Sequence, residues 1–531
     1  MDLFVMLIFE KQILFPNYYF CNMIQISIPK GTRDFSPETL RKRHYIMNII
    51  KNVFEKYAFE PLETPAMENI ETLTGKYGDE GDKLMFRVLD NGEIIEHLKP
   101  KETIELETIN KKEFIDEISS NPSTELKIGL SKEGDIVIEN PNQSQKEFYQ
   151  VLSGALDKML GSSKQLGAAV SEKALRYDLT IPFARFVVMN RNNLVFPFRR
   201  YQMQPVWRAD RPQKGRFREF YQCDADVVGS KSLILEIELL NIYREVFEKV
   251  GLKNFELRLN NRKILAGLAQ LIGATDKMMD MTIAIDKLDK VGIEGVQTEL
   301  QKNNFDEEQI KKIVEFLSLK GTTEERFTQL KNIFADNEEA LKGVKELFFV
   351  MKQTETLCPN ASLVLDLTLA RGLNYYTGII IEVKAKDVQM GSIGGGGRYD
   401  DLTGVFGLPN VSGVGISFGL DRIYEVMDEL KLFPDNLQTG VQVLFINFGN
   451  EPEMYAFQQV QKLRTKDIVA ELYPSNDKIK KQMEYAHRKK VPFVVLIGEE
   501  EMKTQKFQLK NMETGEQQAL SLNEIIVAIE K

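Results

Sequence analysis

The chain has 531 residues, enough for three or more domains, and its 43% hydrophobic and 28% charged content is typical of an ordinary globular protein. A formal net charge of −9 argues against nucleic-acid binding through bulk charge, so such a partner would require locally clustered basic residues. Three widely spaced cysteines and three widely spaced histidines argue against a disulfide framework, a CxxC zinc site and a multi-histidine metal site. The cysteine usage favours a reducing, cytoplasmic compartment, and no apolar run of about 18 residues predicts a membrane span.

The N-terminal region divides into an apolar extension and a helix. Residues 1–22 lack a basic start and a small-residue cleavage site, so we expect a disordered or mis-started extension, with Met23 a candidate true start. A signal sequence is the less favoured alternative. Ser36 as N-cap and Pro37 at the first position predict a helix that runs to about Tyr57. The prolines of residues 59–65 then limit the chain to an extended segment.

A polar insertion separates this region from the next ordered elements. Residues 91–171 read as a surface insertion of mixed helix and strand, without recognisable chemistry. Residues 174–177 then predict a short strand. A helix capped near Asp178 or Thr180 follows, with Pro182 in its first turn.

An arginine-rich hairpin is predicted at residues 206–228. Apolar and polar residues alternate at both ends, and Pro212 and Gly215 supply turn chemistry between them. Arginine presents a planar fork that matches phosphate oxygens two at a time, so a rigid hairpin with several arginines suits a polyphosphate. The alternative is a solvated strand pair with surface salt bridges. The basic residues are Arg200, Arg208, Arg211, Lys214, Arg216 and Arg218.

The second half of the chain alternates strand and helix patterns without a known nucleotide-binding loop. Neither a P-loop nor a G-x-G-x-x-G sequence opening a helix is present, so an antiparallel sheet with arginine clamps is the favoured nucleotide site. We predict a helix at 232–250, a strand at 254–259, a helical module at 261–357, strands at 363–365 and 376–383, a glycine-rich segment at 391–402, a strand leading to a helix near Leu420, a linker at 434–440 and a small α/β unit over the rest.

Several segments, in this order, resemble one family. The hairpin WRADRPQKGRFREFYQ resembles motif 2 of the class II aminoacyl-tRNA synthetases, and GISFGLDR resembles motif 3. The segments RGLNYYTG and GGGGRYDDL resemble the two signature segments of histidyl-tRNA synthetases. The entry PKGTRDF, the segment LRYDLTIPFAR and the terminal α/β unit fit the same family. The match spans roughly residues 28–531, apart from the insertion.

The resemblance implies an α+β fold, in which an antiparallel class II sheet is flanked by helices. It divides the chain into a catalytic core of residues 23–260 and 357–433, a helical insertion at 261–356 that closes over the tRNA acceptor arm, and an α/β anticodon-binding domain at 440–531. Residues 59–67 resemble motif 1, the class II dimer strand, which implies a homodimer.

The resemblance also implies a reaction. Histidine would attack the α-phosphorus of ATP, accompanied by Mg²⁺, and the aminoacyl group would then pass to tRNA(His). Fixed positive charge is the economical catalyst for that step. Arg208 and Arg371 would contact the α-phosphate and the histidine carboxylate. Arg422 and Arg216 would hold the γ-phosphate.

The remaining site residues follow from the same resemblance. Phe220 would stack on adenine, and Asp210, where glutamate is common in the family, would accept from its amino group. The acceptor end of tRNA would contact Arg211 and Gln213. Histidine would be bound by Asp178, Thr180 and Gln222 at its ammonium, by Asp226 and Tyr376 at its imidazole, and by Tyr375 and Tyr399 along the pocket wall.

Each feature alone has an ordinary structural explanation. The glycines of 394–397 could be a flexible loop, Tyr375 and Tyr376 a core aromatic pair, and the C-terminal basic cluster a solvated helix face. That cluster consists of Lys478, Lys480, Lys481, Arg488, Lys489 and Lys490. Two other functions stay open: a histidine-binding regulatory paralogue without catalysis, and an ATP-dependent amino-acid ligase without an RNA partner.

Overall fold

The computed structural model of the protein describes residues 26–74, 84–88, 127–130, 136–139, 171–359, 362–370, 375–434, 437 and 440–530. The predictions made for residues 1–22, for most of residues 91–171 and for Arg371 lie outside these residues. Along the helices of the described ranges, none combines the length and apolar character needed to cross a membrane.

The N-terminal half carries the predicted helix and the arginine hairpin. Its elements are α1 (Pro37–Lys56), β1 (Glu60–Pro61), β2 (Met67–Asn69), α2 (Ile70–Thr74), β3 (Phe86–Val88), β4 (Lys127–Leu130), β5 (Ile136–Glu139), β6 (Lys173–Leu175), α3 (Thr180–Asn190), β7 (Phe198–Trp207) and β8 (Glu219–Val228). Helix α1 begins as predicted, because Ser36 Oγ accepts from the Thr39 amide at 3.2 Å. Strands β7 and β8 pair antiparallel, but β7 begins at Phe198, well before the predicted start.

A helical stretch and the second set of sheet strands follow. Their elements are α4 (Ile234–Lys249), β9 (Phe255–Asn261), α5 (Arg262–Leu271), α6 (Met278–Asp286), α7 (Leu288–Lys302), α8 (Glu307–Leu317), α9 (Thr323–Ile333), α10 (Glu338–Leu357), β10 (Leu363–Leu365), β11 (Ile379–Ala385), β12 (Gly394–Tyr399), β13 (Gly413–Gly419) and α11 (Leu420–Glu429). Helix α10 packs on both α4 and β9, so the helical stretch shares one buried apolar cluster with the sheet.

An eight-stranded sheet organises the site, with strand order β1-β7-β8-β13-β12-β11-β9-β10. Its two outer pairs are parallel and the inner pairs are antiparallel. One face packs on α1, α4 and α11, where the Phe418 ring centroid lies 4.6 Å from that of Tyr243 and 5.8 Å from that of Phe54. Because side chains alternate along a strand, the other face is left for polar groups.

The glycine-rich segment is a strand and not a loop. Gly394 to Gly397 form most of β12, which pairs with β11 on one side and β13 on the other. Glycine is disfavoured in strands, so sequence pattern alone predicts a loop here. Glycine occurs in this strand because the neighbouring strands leave no space for a side chain. A Cβ on Gly396 would lie 2.2 Å from the Gly415 carbonyl oxygen.

The C-terminal α/β unit is built on a separate sheet. Its elements are β14 (Val443–Phe445), α12 (Asn450–Arg464), β15 (Ala470–Leu472), α13 (Ile479–Arg488), β16 (Phe493–Leu496), α14 (Glu499–Thr504), β17 (Phe507–Asn511), β18 (Gln517–Leu520) and α15 (Leu522–Glu530). Strand β14 pairs parallel with β15 and β16, whereas β17 and β18 continue antiparallel. The predicted small unit with a mixed sheet is therefore present.

Candidate active site

Strand β8 carries a row of polar side chains on the face of the sheet that the helices leave open. Gln222, Asp224 and Asp226 alternate with buried Cys223 and Ala225, which face the helix-covered core. The strand register places the three polar residues opposite Gly419, Ser417 and Gly415 of β13. Because β13 contributes only small side chains on this face, the sheet has a hollow beside the polar row.

A cavity of about 330 Å³ lies over this hollow. It brings together residues from the hairpin, the start of α3, the glycine strands and the start of α11. The predicted site residues that line it are Asp178, Thr180, Arg208, Asp210, Arg216, Phe220, Gln222, Asp226, Tyr375, Tyr376, Tyr399 and Arg422. Arg211 and Gln213 lie outside the cavity, on the exposed tip of the hairpin. Arg371 lies outside the described residues.

Two arginines enter the cavity from distant parts of the chain. Arg208, just after β7, donates from Nε to the Tyr177 carbonyl at 2.9 Å, and its guanidinium carbon lies 5.2 Å from the Phe220 ring centroid. Arg422, in the first turn of α11, donates to the carbonyls of Gly215 at 2.9 Å and Ser392 at 2.5 Å. Their backbone anchors fix two positive charges around one space, an arrangement suited to a bound polyphosphate.

Arg216 and Asp210 form an ion pair across the hairpin loop. Arg216 Nη2 lies 2.8 Å from Asp210 Oδ2, and the Arg216 side chain is 42% exposed. A tight turn beneath them is closed by reciprocal backbone hydrogen bonds between Gln213 and Arg216, with Gly215 at φ +68°. Both charged groups line the cavity and are within reach of a ligand that could separate them.

Another part of the cavity lining is acidic and buried. Burial raises the pKa of Asp178 to about 6 and that of Asp224 to about 7. Burial also raises the pKa of Asp226, against the opposing effects of Arg200 and of a hydrogen bond from Tyr399. Three carboxyl groups so close together favour a cationic ligand, because the charge of the ligand would offset their mutual repulsion.

This acidic part contains hydrogen-bond acceptors that lack a donor among the described residues. Within the described part of the chain, Asp178 Oδ2, Gln222 Oε1 and Asp224 Oδ1 are buried and have no protein partner. Buried acceptors are nearly always satisfied, and an ammonium group supplies three N–H donors. A primary ammonium is therefore the ligand group that best fits these three oxygens.

Three tyrosines form the wall beside the acids. The Tyr375 ring centroid lies 4.7 Å from that of Tyr376 and 5.7 Å from that of Tyr399, both in edge-to-face contact. Tyr399 donates its hydroxyl to Asp226 Oδ1 at 2.6 Å. The wall is thus aromatic yet carries polar groups, which suits a flat heteroaromatic ring with N–H and N atoms.

The structure places further residues in the site. Asp224 is one of the hairpin acids whose carboxylates could hold a cation or an amine, and it lines the cavity in alternation with Gln222 and Asp226 along β8, although the sequence assigned it no specific role. Glu382 of β11 also lines it, opposite Gly395. Asp421 accepts from the Tyr221 amide at 3.1 Å and pairs with two arginines of the N-terminal region, Arg33 and Arg43. No sequence spacing predicts that convergence.

Asp224→Asn should make the unliganded protein more stable at pH 8 than the parent chain, by about 1–3 kcal/mol. The folded pKa of Asp224, about 7, exceeds the usual value of 3.8, so folding takes up a proton between these values. The contribution of Asp224 to the free energy of unfolding of the parent chain is fully present below about pH 4. It is lost as the pH rises through about 7. Urea unfolding at pH 5 and pH 8 measures this loss, which should be smaller in the asparagine variant, where Asp178 and Asp226 still contribute.

Asp336→Asn, a change at an exposed loop position, is the matched control and should leave the pH dependence as it is. Equal pH slopes for the parent chain and the Asp224 variant would contradict the assignment of a buried, proton-binding Asp224.

Comparison with known proteins identifies the family. Residues 164–423 match the family model described as histidyl-tRNA synthetase, and residues 442–531 match the one described as an anticodon binding domain. The histidine–tRNA ligase of Christiangramia forsetii is 49% identical over 499 residues, covering 94% of this chain and 97% of that protein. The histidine–tRNA ligase of Flavobacterium johnsoniae is also 49% identical, covering 92% and 96%.

A solved structure has a fold similar to that of this chain. The crystal structure of histidyl-tRNA synthetase from Nostoc sp. PCC 7120 aligns with a TM-score of 0.71 and 28% identity, over 96% of this chain and 99% of that one. The predicted fold, an antiparallel sheet flanked by helices and followed by an α/β domain, is confirmed. With relatives at 49% identity over nearly their full length, the chain belongs to the histidyl-tRNA synthetase family.

Proposed function

We propose that this protein ligates L-histidine to tRNA(His) with ATP, through a histidyl-adenylate, releasing AMP and diphosphate. The observation that carries the proposal is the lining of a single cavity. That lining combines arginines suited to phosphate with buried acids and an aromatic wall suited to histidine. Family membership supports the same reaction.

In the first step, a carboxylate oxygen of histidine attacks the α-phosphorus of ATP. A new P–O bond forms, and the bond to the β-phosphate oxygen breaks, so diphosphate leaves with its electron pair. Arg208, together with Arg371, neutralises the charge that develops on the α-phosphate and orients the histidine carboxylate. In the second step, a ribose hydroxyl at the tRNA terminus attacks the carbonyl carbon, and AMP leaves.

At the nucleotide end, ATP binding exchanges partners within the hairpin. Arg216 leaves Asp210 and joins Arg422 on the γ-phosphate, while Asp210 accepts from the adenine amino group and Phe220 stacks on the base. The exposure of Arg216 and the 2.8 Å ion pair support this exchange, because a solvent-accessible pair separates at low energetic cost.

At the amino-acid end, Asp178, Thr180 and Gln222 bind the ammonium, and the unpaired oxygens of Asp178 and Gln222 support that role. Asp226 and Tyr376 hydrogen-bond the imidazole, which Tyr375 and Tyr399 enclose. A pocket that hydrogen-bonds both ring nitrogens rejects isosteric side chains, since these would leave its buried polar groups unpaired.

Mg²⁺ enters with ATP as part of the substrate. Across the described ranges, no cluster of three or more His, Cys, Asp or Glu side chains could hold a metal. Mg²⁺ is commonly held by substrate phosphates, waters and one or two carboxylates, and Glu382 offers one carboxylate on the cavity wall. This donor set fits an ion that arrives with the nucleotide.

tRNA(His) would contact the chain at two places. Arg211 and Gln213, exposed on the hairpin tip, would meet the acceptor end. The unit at 440–531 would bind the anticodon with the basic surface of α13. Part of that surface is internally neutralised, because Lys481 pairs with Asp477 at 2.9 Å and Lys489 pairs with Glu471 at 2.8 Å. Lys490 lies 4.0 Å from Glu38, and the other exposed cations of the cluster, suited to phosphate, are Lys478, Lys480 and Arg488.

The assembly we propose is a cytoplasmic homodimer with the domains expected from sequence: a core of 23–260 and 357–433, a helical insertion at 261–356 and an anticodon domain at 440–531. Two observations support dimerisation. Strand β1 lies at the edge of the main sheet, and Met67, Met189 and Val195 are apolar yet more than half exposed.

The alternative functions are less well supported. A regulatory paralogue without catalysis would not need arginines at the nucleotide end of the cavity, and a ligase without RNA would not need an anticodon-type domain. Both features are present in this chain.

ATP–pyrophosphate exchange with each of the twenty amino acids tests the proposal. We expect exchange with histidine alone, followed by charging of tRNA(His) when the tRNA is added. Exchange without charging would indicate a ligase that acts on another acceptor. Histidine binding without exchange would indicate a regulatory protein, and either result would overturn the proposed function.

A further inference from the structure

Arg200 of β7 is a buried cation behind the histidine end of the cavity. Its side chain has 0% exposure, and Nη2 lies 2.8 Å from Asp226 Oδ2. The same nitrogen donates to the Leu179 carbonyl at 3.2 Å, and the guanidinium carbon lies 4.4 Å from the Phe183 ring centroid. Arg200 does not line the cavity, so a bound ligand meets Asp226 and not Arg200.

The sheet register fixes this arrangement. Arg200 of β7 is directly opposite Asp226 of β8, which in turn is opposite Gly415 of β13. Cross-strand partners project from the same face, so Asp226 extends between Arg200 and the hollow over Gly415. Tyr399 holds the other carboxylate oxygen of Asp226 at 2.6 Å. The ion pair with Arg200 and the hydrogen bond from Tyr399 therefore fix the position of the Asp226 carboxylate.

The charges around Asp226 are mostly negative. Asp226 raises the pKa of both Asp224 on the same strand and Asp178 before α3, and Arg208 lowers the pKa of Asp178. Tyr376, in the segment before β11, and Tyr399, at the end of β12, complete the surroundings. Arg200 lowers the pKa of Asp178, Asp224 and Asp226 alike, and so opposes burial at all three.

We infer that Arg200 is a positioning residue that holds Asp226 ionised and oriented to accept a hydrogen bond from the imidazole of histidine. This inference rests on the proposed function. A buried ion pair that served stability alone could be replaced by apolar side chains with little loss. Here one partner faces the ligand, so removal of Arg200 should change histidine recognition specifically.

The sign of the effect follows from the charges. Without Arg200, burial shifts the pKa of Asp226 further upward, towards the protonated form, and the hydrogen bond from Tyr399 still opposes that shift. A protonated carboxyl group is a poorer acceptor for the imidazole N–H. Histidine binding should therefore weaken at neutral pH and recover as the pH is raised, while ATP binding at the opposite end is unaffected.

The experiment compares three full-length variants by ATP–pyrophosphate exchange over pH 6 to 9. Arg200→Met removes the charge at similar volume, and Arg200→Lys keeps it. Arg199→Met is the matched control: Arg199 precedes Arg200, faces the other side of the sheet and pairs with Glu238 at 2.8 Å. Thermal unfolding establishes that each variant is folded.

For Arg200→Met we expect an increase of about 10²-fold in KM for histidine, an unchanged KM for ATP, and an acidic limb of kcat/KM for histidine displaced to higher pH. Arg200→Lys should keep the parental limb with a smaller increase in KM. Arg199→Met should match the parent chain.

A proportional rise in both KM values, or an unmoved acidic limb in a folded Arg200→Met variant, would overturn the inference. If Arg200→Met does not fold, Arg200→Lys decides by the same split between histidine and ATP. Combining Arg200→Met with Asp226→Asn should add little to Asp226→Asn alone, because Arg200 acts through Asp226. If the parent chain shows no histidine-dependent exchange, it is the proposed function that fails.

Discussion

Arg208→Ala should reduce histidine-dependent ATP–pyrophosphate exchange by about 10²–10³-fold. Arg208 stands in the cavity between the acidic end and the hairpin, with its Nε fixed on the Tyr177 carbonyl. A fixed positive charge in a partly desolvated site stabilises developing negative charge without reorganisation. The loss should appear in kcat more than in KM for histidine, because the charge on the α-phosphate is greatest in the transition state.

Lys214→Ala is the matched control for that variant. Lys214 is on the same hairpin, is exposed and pairs with Glu429 at 2.8 Å outside the cavity. Exchange by this variant should stay within about twofold of the parent rate, as expected for an exposed ion pair. Near-parental exchange by a folded Arg208→Ala protein would remove Arg208 from the chemistry.

Gly415→Ala should abolish histidine-dependent exchange or raise KM for histidine by about 10²-fold or more. A Cβ at this position would lie 1.9 Å from Asp226 Oδ1 and 3.0 Å from the Ala225 carbonyl oxygen. The backbone oxygen cannot move freely, so the carboxylate must, and it would leave both Tyr399 and the imidazole position. Overpacking of this kind also costs about 1–3 kcal/mol of stability.

The measurement is exchange at saturating ATP with histidine varied, together with thermal unfolding. Gly440→Ala tests the same chemical change where the new Cβ would meet only the flexible end of Arg41, at 3.2 Å, and it should behave as the parent. Unchanged histidine affinity in a folded Gly415→Ala protein would show that Asp226 does not need its present position.

Sequence patterns predicted the elements whose local chemistry is strong. The N-cap at Ser36, the hairpin of β7 and β8, and the junction of β13 with α11 follow from capping, alternation and turn residues. Motif resemblance then named twelve site residues that line one cavity in the structure. These residues lie beside recognisable turns and strand ends, so the local sequence is enough to predict where they lie in the fold.

The missed features depend on partners that are remote in sequence. The β12 glycines form a strand because β11 and β13 press on both sides, which overrides glycine's poor strand propensity. Asp421 pairs with Arg33 and Arg43, which lie 388 and 378 residues away in the sequence. Arg200 was grouped with the phosphate-binding arginines by composition, yet cross-strand register directs it to Asp226.

The glycines of β12 and β13 that line the cavity also restrict how this pocket could be redesigned. A side chain added at Gly396 would collide with main-chain atoms, and one added at Gly415 would collide with the carboxylate of Asp226, so no larger residue fits at either position. A variant intended to accept a bulkier amino acid must gain its space from the tyrosine side, by shortening Tyr375, Tyr376 or Tyr399. Directed evolution of amino-acid selectivity in this scaffold should therefore accumulate its changes on one wall only.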